Sequence, residues 1–228
     1  FKIINELDTY VEFENEGVMN PAVIVAGGEI HMFYRAVKVG NMSSIGYCRL
    51  ENPLKVVYRK KVPILSPVSE YEKHGMEDPR IVKIGETYYM TYTAYDGDNA
   101  VGALVTSKDL KHFTRVGIIT SQVSYPQFVE WLTNDKHPHT NKYFRLYNQR
   151  QSETQTGKKN YLMDKDLVMF PHKINGKFFF LHRIRPDIQS VSIDRIENLT
   201  LDFWKDYYSN FSSHIFFKHH YDFESSYI

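Results

Sequence analysis

Residues 75–97, GMEDPRIVKIGETYYMTYTAYDG, contain an acidic pair, a proline, a short apolar run, a glycine turn and an aromatic run in close succession. Pro79 bars a helix, so the apolar run after it predicts a short strand. The turn at Gly85 leads into residues 88–95, a β-branched and aromatic second strand. This hairpin places Asp78 at the mouth of a strand pair, where a rigid strand end can fix a catalytic carboxylate.

The same order of features occurs three times along the chain, which predicts a repeat. A proline, a short strand, a glycine turn and an aromatic strand recur at Pro21, Pro79 and Pro171. Pro21 and Pro79 lie 58 residues apart, and a second pair of markers, Gly46 and Gly102, lies 56 apart. Antiparallel strands that repeat at this length predict the blades of a propeller.

Two segments depart from this repeat. Residues 121–166 are rich in Gln, Asn, Thr, Lys and His, and we expect a surface excursion inserted before the third unit. His137 and His139 lie within it, but no cysteine or carboxylate cluster of ligand spacing accompanies them, so we expect no metal site. The apolar side chains of residues 196–209 favour an outer strand over a helix.

The composition predicts one globular domain over residues 1–228. The net charge of +1 gives no reason to expect nucleic acid or an anionic membrane as a partner. The single cysteine, Cys48, excludes an intramolecular disulfide, and no apolar run approaches the ~18 residues of a membrane span. The compartment stays open between cytoplasm and periplasm. An aromatic content of 15% suits both sheet packing and carbohydrate faces.

An ordered series of motifs resembles glycoside hydrolase family 130. The motifs are, in chain order, Asn-Pro-Ala-Val-Ile from Asn20, Phe-Tyr-Arg ending at Arg35, Glu-Asp-Pro-Arg over residues 77–80, Tyr-Met-Thr-Tyr-Thr-Ala-Tyr-Asp over residues 89–96, Phe170-Pro171 with Lys173-Ile174, and His182-Arg183. That family comprises β-mannoside phosphorylases and β-1,2-mannosidases. The resemblance implies an all-β fold, a five-bladed β-propeller, of which this chain covers about three and a half blades and is incomplete at its C-terminus.

The resemblance also implies roles for matching residues. Asp78 is similar to the family's general acid, Asn20 and Arg35 to residues of the sugar subsite, and Arg183 to a phosphate contact. The remaining substrate contacts that we expect from the motifs are Arg80, Tyr95, Asp96 and His182. An inverting enzyme needs such an acid on one face of the sugar and a nucleophile on the other.

Where the family's phosphorylases bind phosphate, this sequence differs. Lys165-Asp166 stands in place of an Arg-Asn pair, and Tyr227 in place of a lysine. A carboxylate repels a phosphate dianion. We therefore expect an inverting β-mannoside hydrolase in which Asp166 or Glu224 is the base. The alternative is a β-mannoside phosphorylase that releases mannose 1-phosphate, with inorganic phosphate as co-substrate; we expect no other cofactor.

Two non-catalytic functions remain open at this stage. In a carbohydrate-binding propeller, Asp78 would be tied to Arg80 in a salt bridge at the rim. In a protein-interaction propeller, we expect a large exposed apolar patch. The enzyme hypothesis instead predicts Asp78 near Arg35 and Arg183, a β-mannoside oligosaccharide as partner, and leaves a homo-oligomer open.

Overall fold

The computed structural model describes residues 11–133, 144–146, 148 and 160–219, which are mostly β-strand, and to that extent the predicted all-β fold class is confirmed. The strands form three antiparallel units. Unit 1 contains β1 (Gly17–Ala26), β2 (Glu29–Lys38), β3 (Met42–Asn52) and β4 (Lys55–Arg59). Unit 2 contains β5 (Gly75–Ile84), β6 (Thr87–Tyr95), β7 (Ala100–Ser107) and β8 (Phe113–Ile118). Unit 3 contains β9 (Lys165–Met169), β10 (Phe178–Arg183), β11 (Ile188–Ile193) and β12 (Ile215–Phe217).

Neighbouring units are joined in the same way, by one parallel bridge from a third strand to the start of the next unit. Ser43 of β3 pairs with Gly75 of β5, and Val101 of β7 pairs with Asp164 just before β9. Thr91 in unit 2 also donates its hydroxyl to the Leu167 carbonyl in unit 3, at 2.6 Å. These links hold the first strands of successive units side by side.

The first strand of each unit is kinked at an equivalent position. The strand register breaks beside Asn20, Asp78 and Asp166, and these residues have φ values of 48°, 51° and 56°. This is the left-handed region, which Asn and Asp adopt more readily than other residues with a side chain. We call these three residues the left-handed kinks.

The kinks correct one prediction. Pro21 follows the first kink and Pro79 the second, but Leu167 follows the third. Pro171 is therefore not the equivalent of the other two prolines, because it lies beyond the end of β9 in the connection to β10. The Phe170-Pro171 motif led to the wrong alignment, because unit 3 has leucine where the first two units have proline.

Units 1 and 2 each contain a buried glutamate that joins the beginning of the unit to its second and fourth strands. The glutamate lies in a short 3-10 helix, Glu12–Glu14 or Glu70–Glu72, and accepts a hydrogen bond from a tyrosine 20 residues further on. An arginine from the fourth strand of the unit forms an ion pair with this glutamate. We name this arrangement the Glu–Tyr–Arg clamp; its members are Glu14, Tyr34 and Arg59 in unit 1, and Glu72, Tyr92 and Arg115 in unit 2.

Residues 196–209 were wrongly predicted as an outer strand. They form a 3-10 turn, Ile196–Asn198, followed by the helix α2, Leu201–Ser209, which Thr200 caps by accepting from the Phe203 amide at 3.3 Å. The buried side chains of this helix are Trp204, Tyr207 and Tyr208. Their spacing of three and four residues is helical, and burial of this aromatic face outweighs the β propensity of the segment.

The described part of residues 121–166 is not a surface excursion either. Helix α1, Tyr125–Trp131, buries Phe128 against Tyr208 and Phe211, with ring centroids 4.9 and 5.3 Å apart. The segment is polar on average, but Phe128, Trp131 and Phe144 belong to the core. His137 and His139 lie outside the described residues. No helix within the described ranges is long and apolar enough to cross a membrane.

Candidate active site

Two of the left-handed kinks meet directly. The Asn20 side-chain amide donates to Asp78 Oδ1 at 2.6 Å, across 58 residues of sequence. The contact arises because β1 packs against β5 and both strands are kinked at the same level. Asn20, the predicted sugar-binding residue, is therefore hydrogen-bonded to Asp78, the predicted acid.

Arg35 of β2 links this pair to a second carboxylate. Its Nη2 donates to Glu77 Oε1 at 2.7 Å, its Nη1 reaches Asp78 Oδ1 at 3.5 Å, and its Nε donates to the Ser43 hydroxyl at 2.9 Å. Both contacts of Asp78 with described residues therefore fall on Oδ1. Its Oδ2 makes no hydrogen bond with a described residue.

Arg80 does not hold Asp78 in the salt bridge that a non-catalytic binding module would show. Its guanidinium donates to the carbonyl of Pro79 at 3.0 Å. The predicted contact of Arg80 with substrate stays a prediction. The position of Asp78 beside Arg35 is the one that the enzyme hypothesis predicts.

Unit 3 adds further charges to the same cluster. Arg183 of β10 is paired in register with Lys165 of β9 and forms an ion pair with Asp166, the third left-handed kink. Arg183 is only 4% exposed. Lys165 and Asp166 are near enough to Glu77 to influence its ionisation. The site therefore combines carboxylates and cations in equal number: Glu77, Asp78 and Asp166 with Arg35, Lys165 and Arg183.

The surroundings of Glu77 shift its ionisation. Burial raises the pKa of Glu77 above its ordinary value; Arg35 and Lys165 oppose the shift, and Asp78 and Asp166 add to it. From the sequence, Glu77 was identified only as part of the acidic pair. The sequence feature that could have identified Glu77 is its position directly before Asp78.

Tyr95 and Asp96 lie at the end of β6. Burial, and then the charge of Glu77, raise the pKa of Tyr95, so its hydroxyl lies near the cluster, and it donates to the Gly97 carbonyl at 2.7 Å. Asp96 instead closes the following turn. Burial raises its pKa, but hydrogen bonds from Asn99 and Asp98 outweigh this and hold the pKa of Asp96 below its ordinary value. Its predicted sugar contact stays a prediction.

The prediction that His182 contacts the substrate is wrong. The ring is 0% exposed and lies between the Asp164 carboxylate, at 2.7 Å, and the Tyr207 hydroxyl, at 2.8 Å. Successive side chains of a strand face opposite sides of the sheet, so Arg183 at the site places His182 in the core. His182 is equivalent to Tyr34 and Tyr92, and its role is structural.

Two predicted residues, Glu224 and Tyr227, lie outside the described residues. Within the described ranges, no group of three or more His, Cys, Asp or Glu side chains is arranged to hold a metal ion.

Comparison with known proteins assigns the chain to a family. Residues 4–198 match the profile of glycoside hydrolase family 130, described as beta-1,4-mannooligosaccharide phosphorylase. The chain belongs to glycoside hydrolase family 130. The resemblance seen in the motifs is confirmed.

Curated family 130 relatives carry related names. A 1,2-beta-oligomannan phosphorylase of Thermoanaerobacter sp. (strain X514) is 30% identical over 197 residues, covering 82% of this chain and 53% of the relative. A beta-1,2-mannobiose phosphorylase of the same strain is 30% identical over 193 residues, covering 78% of this chain and 50% of the relative. The chain spans about half the length of the curated relatives it matches.

Solved structures show the same family 130 fold at lower identity. The beta-1,2-mannobiose phosphorylase of Listeria innocua, in complex with beta-1,2-mannobiose, superposes with a TM-score of 0.56 at 20% identity, covering 79% of this chain and 56% of the other. A glycosyl hydrolase of Bacteroides ovatus gives a TM-score of 0.59 at 22% identity, covering 86% and 54%.

Proposed function

We propose that this chain carries the general acid of an inverting enzyme that cleaves β-mannosides by phosphorolysis, with its three units as blades of a five-bladed propeller. The observation that carries the proposal is the environment of Asp78. Asn20 and Arg35 hold Oδ1, so Oδ2 can present a proton to the leaving oxygen. Phosphate as the nucleophile is supported by the curated relatives, which are named phosphorylases.

The reaction needs two groups on opposite faces of the sugar. Asp78 gives its proton to the glycosidic oxygen as the bond to the anomeric carbon breaks, and a phosphate oxygen forms the new bond from the other face. Arg183 and Lys165 are the cations of unit 3 that could bind this phosphate. The products are mannose 1-phosphate and the shortened mannoside.

Hydrolysis is a second candidate, favoured by the ion pair between Asp166 and Arg183. A carboxylate that already occupies the guanidinium competes with phosphate for it. The same carboxylate can act as a base toward water, provided that it lies about 6.5–9.5 Å from the acid. Asp166 is then the base, and mannose is the product.

Product analysis decides between these functions. Full-length protein incubated with β-1,2-mannobiose is expected to form mannose 1-phosphate at a rate that depends on phosphate concentration. Free mannose formed at a rate independent of phosphate would contradict phosphorolysis and establish the second candidate. The absence of both products, with a panel of β-mannosides, would contradict an enzyme function.

The variant Asp166→Asn separates the two roles of Asp166. If Asp166 only occupies Arg183, the neutral amide competes less with phosphate for the guanidinium, and we expect KM for phosphate to fall about tenfold, since one charge-assisted contact with phosphate is strengthened. If Asp166 is the base for water, mannose release falls about 10²-fold or more. Initial rates with and without phosphate measure both quantities. If neither rate changes, both roles are contradicted.

A further inference from the structure

Arg35 is shared unequally between two adjacent carboxylates. Its Nη2 lies 2.7 Å from Glu77 Oε1, whereas its Nη1 lies 3.5 Å from Asp78 Oδ1. The Ser43 hydroxyl accepts from Nε and fixes the other side of the guanidinium. The arginine therefore directs its stronger contact to the residue that is not the proposed acid.

This unequal sharing matters because an acid must keep its proton until the leaving oxygen takes it. An arginine that bonds closely to a carboxyl group favours the ionised form, and a neighbouring carboxylate favours the protonated form. In its ionised form, which Arg35 and Lys165 favour against the effect of burial, Glu77 acts on Asp78 in both ways. It draws the arginine toward itself, and it adds a negative charge one residue away.

The fold does not require a glutamate here. The strand registers place Met19 of unit 1 and Lys165 of unit 3 at the position equivalent to Glu77. Each directly precedes a left-handed kink, as Glu77 does. Methionine and lysine support the same kinked strand, so the kink itself does not require a carboxylate at this position.

We propose that Glu77 is a positioning residue that holds the positive charge of Arg35 away from Asp78, so that Asp78 keeps the proton it donates. This inference deepens the proposed function and rests on it. The other groups that face Glu77 are known: Arg35 from β2, Lys165 and Asp166 from β9, and the Tyr95 hydroxyl from β6. Lys165 and Asp166 carry opposite charges and largely offset each other, which leaves Arg35 as the cation that Glu77 controls.

The variant Glu77→Gln tests the inference, because glutamine removes the charge and keeps the shape. In the full-length protein, the midpoint of Asp78 ionisation, followed by the carboxyl ¹³C signal against pH, should fall by about one pH unit. The alkaline limb of kcat/KM for β-1,2-mannobiose should fall by the same amount. An aryl mannoside with an activated leaving group needs no acid, so its cleavage should be little affected.

Two further variants complete the experiment. Glu77→Asp keeps the charge but shortens its reach, and should shift the Asp78 midpoint in the same direction by less; it also serves if the glutamine variant does not fold. Glu86→Gln removes a carboxylate that is 89% exposed from the turn of the same hairpin and should shift nothing.

The outcomes separate the two proposals. An unchanged or higher midpoint for Asp78 in Glu77→Gln overturns the role of Glu77, whatever the enzyme cleaves. A wild-type protein that cleaves no β-mannoside overturns the proposed function, and the ¹³C titration still decides whether Glu77 controls the proton of Asp78.

Discussion

Replacement of Asp78 by Asn is expected to lower turnover of β-1,2-mannobiose by about 10²–10⁴-fold, the usual contribution of a positioned acid. The amide cannot donate a proton of comparable acidity, but it has the same shape. It is also compatible with the left-handed backbone, since Asn20 adopts the same conformation at the equivalent position of unit 1. The loss should therefore come from chemistry and not from folding.

Two measurements separate these causes. The loss should nearly vanish on an aryl mannoside with an activated leaving group, because departure of that group needs no proton. Asp194→Asn, which changes a carboxylate that is 68% exposed in unit 3, serves as the control and should retain full turnover. Equal losses on both substrates would show that Asp78 is not the acid.

Replacement of Glu72 by Ala is expected to lower the free energy of unfolding by about 3 kcal/mol, since removing one partner of a buried ion pair leaves the other uncompensated. Glu72 is 0% exposed and accepts from the Tyr92 hydroxyl at 2.8 Å, and from Arg115 and the Val68 amide, each at 3.0 Å. Arg115 is partly exposed and can regain water, which places the loss at the lower end of the usual range.

Urea unfolding of the full-length protein measures this loss. Glu70→Ala is the matched control, because Glu70 belongs to the same 3-10 helix but is 92% exposed, and it should change stability by less than about 0.5 kcal/mol. Tyr92→Phe removes a single hydrogen bond of the clamp and should cost about 1 kcal/mol. Similar losses for Glu70→Ala and Glu72→Ala would contradict a stabilising role for the clamp.

Local signals account for what the sequence predicted correctly. Proline, a glycine turn and an aromatic run lie within about twenty residues of one another in the hairpin β5–β6, so no distant information is needed. The same holds for β1–β2. The sequence predicted Asp78 just before a strand, whereas it lies inside β5, at the kink. Arg35 and Arg183 were proposed from the family resemblance, and each lies in the second strand of its unit.

Contacts between distant segments were missed for the opposite reason. The partners Glu72 and Arg115 are 43 residues apart, and nothing near either of them indicates the other. The spacing of 58 residues between Glu14 and Glu72 was visible in principle, because it equals the spacing of Asn20 and Asp78. In unit 3, Pro171 was aligned with Pro21 and Pro79, although Leu167 is the equivalent residue. The aromatic residues of α2 were assigned the two-residue period of a strand, although their spacing is helical.

The left-handed kinks at Asn20, Asp78 and Asp166 restrict what evolution or an engineer can place at this site. A longer or branched side chain in that backbone conformation is strained by about 1 kcal/mol or more, whereas asparagine, aspartate and glycine are accommodated. Glutamate or lysine would carry this strain in addition to any chemistry it contributed. The backbone thus favours an amide, a carboxylate or no side chain at these three positions. The smallest change among these residues, aspartate to asparagine, replaces one side-chain oxygen with nitrogen.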